Sequence, residues 1–149
     1  MDLELRGKTA LVTGASKGIG LAIARALASE GCNLHLAARS SEDLARARDA
    51  IAGEAGVGVN CHALDLARSD AVGALAAACT GIDILVNNAG AIPAGRLLGV
   101  DATRWRAAWD LKVYGYIDLT RAIYAGMRQR RSGVIVNVIG LAGERMKSD

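Results

Sequence analysis

Short apolar segments alternate with longer amphipathic segments along this chain. The apolar segments are five to seven residues long and predict five strands, at residues 9–13, 33–38, 57–63, 82–86 and 134–139. Because these segments are apolar nearly throughout, both faces of each strand should be covered, as they are in a parallel sheet. Right-handed crossovers then give an α/β fold with a doubly wound parallel sheet and helices on both faces. In such a sheet the ligand crevice lies at the carboxyl ends of the strands.

Helix signals separate the predicted strands. Ser40 and Asp43 have the spacing of a capping box and predict a helix that runs to about residue 55. Ser69 is the predicted N-cap of a helix over residues 70–79. The longest amphipathic segment covers about residues 103–130, and Gly133 ends it. Spacings of three, four and seven predict one buried stripe on this helix, formed by Trp105, Trp109, Val113, Tyr116, Ile123 and Met127.

A glycine-rich turn, TGASKGIG from Thr13 to Gly20, joins the first predicted strand to the first helix. Glycine lets a backbone approach a phosphate closely, and the N–H groups and dipole of a helix N-terminus favour negative charge. The strand–turn–helix context favours a pyrophosphate site over a tight turn that merely requires glycine. The predicted cofactor-binding residues of this turn are Gly14, Ser16, Lys17, Gly18, Ile19 and Gly20.

Composition narrows the class of protein. The chain has 149 residues, of which 52% are hydrophobic and 22% charged, enough for one domain with a substantial core. Its net charge of +3 is mild. The one dense basic run, residues 128–131, is better explained as a solvated helix end than as a nucleic-acid patch. The first residues do not resemble a signal peptide, and no uncharged apolar run approaches membrane-spanning length. We expect a cytoplasmic protein with a small-molecule substrate and with neither nucleic acid nor membrane as a partner.

Cysteines and histidines give no metal-ligand spacing in the sequence. Cys32, Cys61 and Cys79 are widely separated, and we interpret them as small buried apolar residues in a reducing compartment. His35 and His62 lie within predicted strands and have no cluster of partners. We therefore interpret each as a packed histidine rather than a ligand or a base, and predict no metal site.

The motifs resemble those of the short-chain dehydrogenase/reductase family over nearly the whole chain. The family's TGxxxGxG turn matches the glycine-rich turn, and its NNAG motif matches residues 87–90, which end the fourth predicted strand. The resemblance implies a single Rossmann-type NAD(P)-binding domain over residues 1–149, incomplete because family members carry two further strands and two helices. It also implies self-association through the long helix, giving a homo-oligomer. Beyond the glycine turn, it implies cofactor contacts from Asp65, whose carboxylate lies near the adenine in the family, and from Leu66, Asn88, Ala89 and Gly90.

The choice between NAD and NADP is predicted from charge at the end of the second strand. An NAD site carries an acidic residue there for the ribose, whereas arginine suits the 2′-phosphate of NADP. Residues 37–40 read AARS, without a carboxylate. Arg39 can meet a phosphate bidentately, with Ser40 beside it, and Lys17 resembles the second basic residue of NADP-preferring members. NADP is therefore favoured over NAD, and over the alternative that Arg39 is only a solvated surface charge.

The catalytic positions depart from the family. The resemblance implies a tyrosine acid/base with a lysine four residues later, a serine that contacts the substrate oxygen, and an asparagine. The asparagine position corresponds to Lys112 and the serine position to Gly140, and the Tyr-x-x-x-Lys pair is absent from the printed sequence. Tyr114, Tyr116 and Tyr124 do not replace it, and the last two are interpreted as helix packing residues. Lys112 either reaches the crevice, as a candidate catalytic group, or lies on the surface.

Two classes of function follow. The first is an NADP(H)-dependent oxidoreductase that transfers hydride to or from a carbonyl or alcohol substrate when the chain is complete. The second is a non-catalytic dinucleotide-binding sensor or scaffold derived from the same family. The sequence does not identify the substrate.

Overall fold

The computed structural model of the chain describes residues 3–140. Within that range the strands are β1 (Thr9–Thr13), β2 (Asn33–Ala38), β3 (Val59–Ala63), β4 (Ile84–Asn87) and β5 (Val134–Asn137). Neighbouring strands are parallel, and the order across the sheet is β3-β2-β1-β4-β5. The chain therefore reverses its direction of winding between β1 and β4, which opens a crevice at the carboxyl ends of these two strands. The predicted doubly wound α/β sheet is confirmed.

Helices connect the strands. They are α1 (Gly18–Ser29), α2 (Ser41–Ala55), α3 (Ser69–Ala78), α4 (Ala102–Trp109) and α5 (Gly115–Arg130). A 3-10 turn at Leu97–Gly99 precedes α4, and a π-helical turn at Asp110–Tyr114 joins α4 to α5. Among the described residues, no helix combines the length and apolar character that crossing a membrane requires.

Each face of the sheet has its own apolar core. Alternate residues of β1 and β2 point to opposite faces, so Val12 and Leu34 lie in one core and Leu11 in the other. α1 and α2 cover the first face with residues such as Ala24 and Leu44. α3 and α5 cover the second face with residues that include Leu75, Leu119 and Ile123. Because such leucines are fully buried, truncating one to alanine should cost about 2–5 kcal/mol of unfolding free energy.

Several predicted boundaries are corrected by the structure. Strand β3 begins at Val59 instead of residue 57, because the N–H of Gly58 donates to the Asn33 side chain (3.0 Å). β4 begins two residues later than predicted, at Ile84, and β5 ends two residues earlier than predicted, at Asn137. Ser40 is confirmed as the N-cap of α2, since its hydroxyl accepts from the N–H of Asp43 (3.1 Å). Ser69 is not an N-cap, because α3 already includes it and Arg68 takes that position.

The predicted stripe on the long helix is only partly correct. Ile123 and Met127 are buried as expected, but the side chain of Trp109 is 55% exposed and that of Tyr124 is 51% exposed. The π-helical turn explains the difference, because its wider winding shifts the helical phase between α4 and α5. The remaining stripe members, Trp105, Val113 and Tyr116, are half-buried, so packing by Tyr116 is incomplete. Tyr124 lies outside the predicted stripe, and its exposure shows that its separate interpretation as a packing residue is wrong.

Candidate functional site

A cleft of about 870 Å³ lies at the carboxyl ends of the strands. The glycine-rich turn after β1 forms one wall, and the loops after β2 and β3 form the floor near the predicted adenine end. The loop after β4, the π-helical turn and the end of β5 form the opposite side. The topology thus brings together the motifs that the sequence placed at one sheet edge.

The glycine-rich turn owes its shape to three glycines in different ways. Gly14 has a φ of +65° and Gly18 a φ of +58°, a region that residues with a Cβ rarely adopt. Gly20 has no room for a side chain, because a Cβ there would overlap the carbonyl group of Gly14. Lys17, the N-cap of α1, makes no side-chain cap bond. The first amides of α1 therefore have no capping side chain as a partner and are available to an anion.

Thr13 and Asn88 lock the turn to the loop after β4. The buried Thr13 hydroxyl accepts from the N–H groups of Asn88 (2.9 Å) and Ala89 (3.0 Å) and donates to the carbonyl of Val86 (3.3 Å). The Asn88 side-chain amide donates in return to the carbonyl oxygens of Thr13 (3.0 Å) and Gly14 (3.4 Å). Asn88 thus shapes the cleft by holding the turn in place.

Basic and acidic side chains meet near the end of β2. Arg39 and Lys17 are exposed and both line the cleft, together with Ser40. Asp43, which was predicted only as part of a capping box and not as a site residue, also lines the cleft. The carboxylate of Asp43 pairs with Arg46, and this contact together with Ser40 lowers the pKa of Asp43. Arg46 also pairs with Glu42 (2.9 Å), so it is shared between two carboxylates, and this edge of the cleft carries the Asp43 carboxylate as well as the two basic side chains.

Asp65 and Leu66 lie where β3 leads into the cleft. One carboxylate oxygen of Asp65 accepts from the N–H of Ala67 (3.1 Å), and the Asp65 carbonyl accepts from the N–H of Arg68 (3.1 Å). These bonds form a tight turn that holds the carboxylate at the cleft wall. Leu66 is buried and contributes an apolar surface beside it.

Lys112 reaches the cleft from the π-helical turn. Its ammonium donates to the carbonyl of Val138 (2.6 Å) and to the hydroxyl of Tyr116 (2.9 Å). Burial lowers the pKa of Lys112, and burial raises the pKa of Tyr116 to about 12. Of the two alternatives for Lys112, the structure supports the crevice. The contact between Tyr116 and Lys112 was missed, although their spacing of four residues on a helix is a signal for it.

Within residues 3–140, the side of the cleft that follows β5, opposite Lys112, is open. Gly140 lines the cleft and is exposed, and a Cβ there would meet nothing within 4 Å. Ile139 beside it is 77% exposed. Gly140, which the resemblance assigns to the family's serine position, therefore offers no hydroxyl, and within residues 3–140 it has no packed environment.

The structure brings most of the predicted cofactor-binding residues to one cleft. The predicted residues that line it are Gly14, Ser16, Lys17, Ile19, Arg39, Ser40, Asp65, Leu66, Asn88, Ala89 and Gly90. Gly18 and Gly20 do not line it and act through the shape of the turn. Apart from Asp43, the lining residues that sequence reasoning missed are mostly apolar and carry no motif of their own: Ala37, Ala38, Leu64, Ile92, Leu111, Val138 and Ile139.

The two histidines are not isolated, which corrects the expectation that they lack a cluster of partners. His35 Nδ1 lies 2.8 Å from His62 Nε2, and the thiol of Cys79 lies 3.3 Å and 3.5 Å from these two nitrogens. Burial lowers the pKa of both histidines. Cys79 and Cys32 are buried as expected, but Cys61 is only half-buried.

Comparison with known proteins gives one consistent family. Residues 8–148 match the family model described as short chain dehydrogenase. The chain is 37% identical to D-beta-hydroxybutyrate dehydrogenase of Cupriavidus necator over 97% of this chain and 58% of that protein. It is 36% identical to a 3-oxoacyl-(acyl-carrier-protein) reductase of Vibrio cholerae over 95% of this chain and 58% of that protein. The chain thus spans little more than half the length of these curated relatives.

Solved structures agree with this match. L-sorbose reductase from Gluconobacter frateurii, complexed with NADPH and L-sorbose, superposes with a TM-score of 0.91 at 35% identity, over 97% of this chain and 56% of that one. A metagenomic short-chain oxidoreductase in complex with NADP gives a TM-score of 0.89 at 38% identity, over 97% of this chain and 67% of that one. The described fold is therefore one on which related proteins bind NADP or NADPH.

Proposed function

This chain belongs to the short-chain dehydrogenase/reductase family, and we propose that its cleft binds NADP(H) and, when the chain is complete, serves hydride transfer to or from a carbonyl or alcohol substrate. The observation that carries the proposal is the pairing of an uncapped, glycine-shaped helix N-terminus with two exposed basic side chains, Lys17 and Arg39, in one cleft. The helix end suits a pyrophosphate, and the basic pair suits a further phosphate. The NADP and NADPH complexes of related structures support this cofactor.

The remaining cofactor contacts are assigned by position along the cleft. Asp65 and Leu66 would border the adenine, with the Asp65 carboxylate held by its own turn. Ala89 and Gly90 would border the ribose and nicotinamide on the β4 side. A Cβ at Gly90 would lie 2.6 Å from the Lys112 side chain, so this glycine leaves room for Lys112 in its observed position.

Lys112 is the candidate that this chain offers for exchanging the proton, and alone it is not expected to support measurable turnover. When bound, the cofactor supplies or accepts the hydride. In the direction of reduction the carbonyl oxygen must gain a proton, and the Lys112 ammonium lies at the substrate side of the cleft with a lowered pKa. A lysine whose pKa moves toward neutrality is better able to exchange a proton.

The second candidate function is a dinucleotide-binding sensor or scaffold. Two observations favour it. The ammonium of Lys112 already donates to Val138 and Tyr116, and Gly140 offers no donor to a substrate oxygen. Such a protein would bind NADP(H) through the same residues and would not consume it.

Three wider expectations belong to the proposal. We propose that residues 1–149 form a single dinucleotide-binding domain, that the protein is cytoplasmic, and that it self-associates.

Exposed apolar side chains on the long helical segment, those of Trp109, Ile117 and Tyr124, support self-association. Sedimentation velocity over a range of concentrations tests it, and a sedimentation coefficient that stays monomeric would contradict it.

Calorimetric titration with NADPH and NADH tests the cofactor assignment. Charge-assisted hydrogen bonds to phosphate are worth about 1.5–3 kcal/mol, so NADPH should bind about 10- to 100-fold more tightly than NADH. Arg39→Asp should abolish or reverse this preference. Arg121→Asp makes the same change of charge on the exposed side of α5, outside the cleft, and should leave the preference unchanged. Equal affinities of the unmutated chain for both cofactors would refute the assignment.

A further inference from the structure

A second group of chemically reactive side chains lies apart from the cleft lining. It consists of His35 on β2, His62 on β3 and Cys79, which caps the C-terminus of α3. One ligand atom from each residue lies within 4.8 Å of the other two. We call these three residues the His–His–Cys cluster.

The sheet register explains why the two histidines meet. Ala37 pairs with His62, and His35 precedes Ala37 by two residues, so His35 and His62 project from the same face of neighbouring strands. That face is the one covered by α3, whose Leu75 and Cys79 pack in the same core as Ala37. The end of α3 thereby delivers the Cys79 thiol to both imidazoles.

The imidazole rings meet edge to edge, not face to face. Their planes differ by only 12°, and their centroids are 5.1 Å apart while the nearest nitrogens are 2.8 Å apart. The difference corresponds to about two ring radii, so each ring directs a nitrogen at the other. Without a metal, one shared proton would bridge the two nitrogens, and the thiol would lie beside them.

The distances are close to those of a metal site. Zn²⁺ binds imidazole nitrogen at about 2.0–2.1 Å and thiolate sulfur at about 2.3 Å, so tetrahedral angles require about 3.3 Å between nitrogens and about 3.5 Å from nitrogen to sulfur. The cluster has 3.3 Å and 3.5 Å from sulfur to nitrogen, and 2.8 Å between nitrogens. To replace the shared proton with a cation, the nitrogen pair must separate by about half an ångström and the rings must tilt so that both lone pairs converge on the metal.

We propose that His35, His62 and Cys79 bind one thiophilic d¹⁰ cation, Zn²⁺ or Cu⁺. Two imidazoles and a thiolate are the ligands that such cations prefer, whereas Mg²⁺ and Ca²⁺ require oxygen ligands. The histidines are half-buried and Cys79 is buried, so one side of the cluster stays open to solvent for entry and for a fourth, water ligand. Binding releases the thiol proton of Cys79 to solvent, and the bridging proton is exchanged onto the other ring nitrogen of the imidazole that held it, so both histidines bind as neutral ligands.

The cation would have a structural role. It would join β2, β3 and the end of α3, three elements that are otherwise held together by backbone pairing and apolar contacts. His35 lies four residues before Arg39, and His62 lies three residues before Asp65. The bound cation would therefore restrict the motion of two loops that line the cleft. The site stands on its own geometry and does not depend on the proposed hydride transfer.

The test uses the tag-free 149-residue chain after removal of metal by a chelator. Zn²⁺ is titrated in competition with a chromophoric chelator, and Cu⁺ is titrated under anaerobic conditions in the same way. One equivalent of either cation should bind, and Mg²⁺ should not. Co²⁺ used as a probe should give a thiolate-to-metal charge-transfer band and the intense visible bands of a tetrahedral site. A hundredfold excess of Zn²⁺ over its dissociation constant should raise Tm by about 5–10 °C.

Matched variants identify the ligands. Cys79→Ala and His62→Gln should each weaken binding by about 100-fold or more and remove the cobalt bands, because each removes one of three protein ligands. Cys61→Ala is the control, since its thiol donates to the Leu44 carbonyl on the other face of the sheet and should change nothing. Circular dichroism verifies that each variant folds, and His35→Gln replaces any variant that does not.

Two results would overturn the proposal. One is the absence of stoichiometric binding of Zn²⁺ and of Cu⁺ by the unmutated chain at micromolar concentrations. The other is binding that Cys79→Ala, His62→Gln and Cys61→Ala weaken equally. In either case the cluster is a hydrogen-bonded packing group of two histidines and a thiol.

Discussion

The two ends of the cleft are built in different ways. At the cofactor end, the turn after β1 is held by the buried Thr13 hydroxyl and by Asn88, which bond to several backbone groups. At the proposed substrate end, Lys112 extends into the cleft from a π-helical turn, and Gly140 is exposed and has no side chain. Internal contacts therefore specify the proposed cofactor end, while the proposed substrate end depends on one long side chain that two hydrogen bonds hold.

The largest expected effect is on stability, through Thr13→Val. Valine has the same shape as threonine, but the change leaves the N–H groups of Asn88 and Ala89 without their buried acceptor. Each unsatisfied group costs about 1–3 kcal/mol, so the unfolding free energy should fall by about 2–4 kcal/mol. Urea denaturation followed by circular dichroism measures it.

Thr120→Val is the matched control on α5. The Thr120 hydroxyl accepts from the Asn87 side chain, which also donates to Asn137 and so keeps one partner. Its loss should cost only about 1 kcal/mol. Equal losses for the two variants would contradict the idea that the cofactor end is specially held.

A smaller effect is expected on cofactor binding from Gly18→Val. Gly18 has open space around it but a φ of +58°, so a branched side chain strains the turn by about 1–3 kcal/mol without a clash inside the protein. NADPH affinity should fall about 10- to 100-fold, measured by fluorescence titration.

Gly53→Val provides the comparison for Gly18→Val. Gly53 lies in the last turn of α2 with open space around it and without a positive φ. Its replacement should leave NADPH affinity unchanged. A folded Gly18→Val variant that binds NADPH as well as Gly53→Val does would refute the assignment of the phosphate turn.

The smallest expected effect concerns pH at the substrate end. Burial raises the pKa of Tyr116 to about 12 in the folded chain, above the ordinary value of 10.0. The neutral phenol is therefore favoured by folding, and its contribution is fully present below pH 10 and is lost as pH rises toward 12. Ultraviolet titration should show a tyrosinate component near pH 12 that Tyr116→Phe removes. If the component persists in Tyr116→Phe, the burial of that hydroxyl beside Lys112 is wrong.

The sequence predicted the fold, and the common cleft of most proposed cofactor-binding residues, for a physical reason. Apolar strands, a capping serine at Ser40 and glycines with required backbone angles are local signals, and each is readable within about eight residues. The phase shift at Asp110–Tyr114 is not readable in this way, because a π-helical turn is favoured by surrounding contacts and leaves the apolar spacing nearly unchanged.

Contacts between distant residues were beyond the sequence for a different reason. His35, His62 and Cys79 are separated by 27, 17 and 44 positions and meet only through strand register and the placement of α3. Their spacing matches no known metal motif, so the group can be recognised only in the folded structure. Asp43 was missed as a cleft residue although it follows Arg39 by four residues, because the signal that separates NAD from NADP lies at the strand end, within residues 37–40.

Oxidation of NADPH by the 149-residue chain tests most directly the contrast between a well-held cofactor end and a sparse substrate end. The assay follows NADPH absorbance with a panel of ketones, aldehydes and quinones, on a sample whose NADPH binding has been verified by fluorescence, with Lys112→Ala beside it. General acid–base groups contribute about 10²–10⁴-fold to rate, and this chain lacks the family's serine and its tyrosine–lysine pair. We predict binding without measurable turnover. Robust turnover by the unmutated chain would contradict this account, and its loss in Lys112→Ala would assign the proton transfer to Lys112.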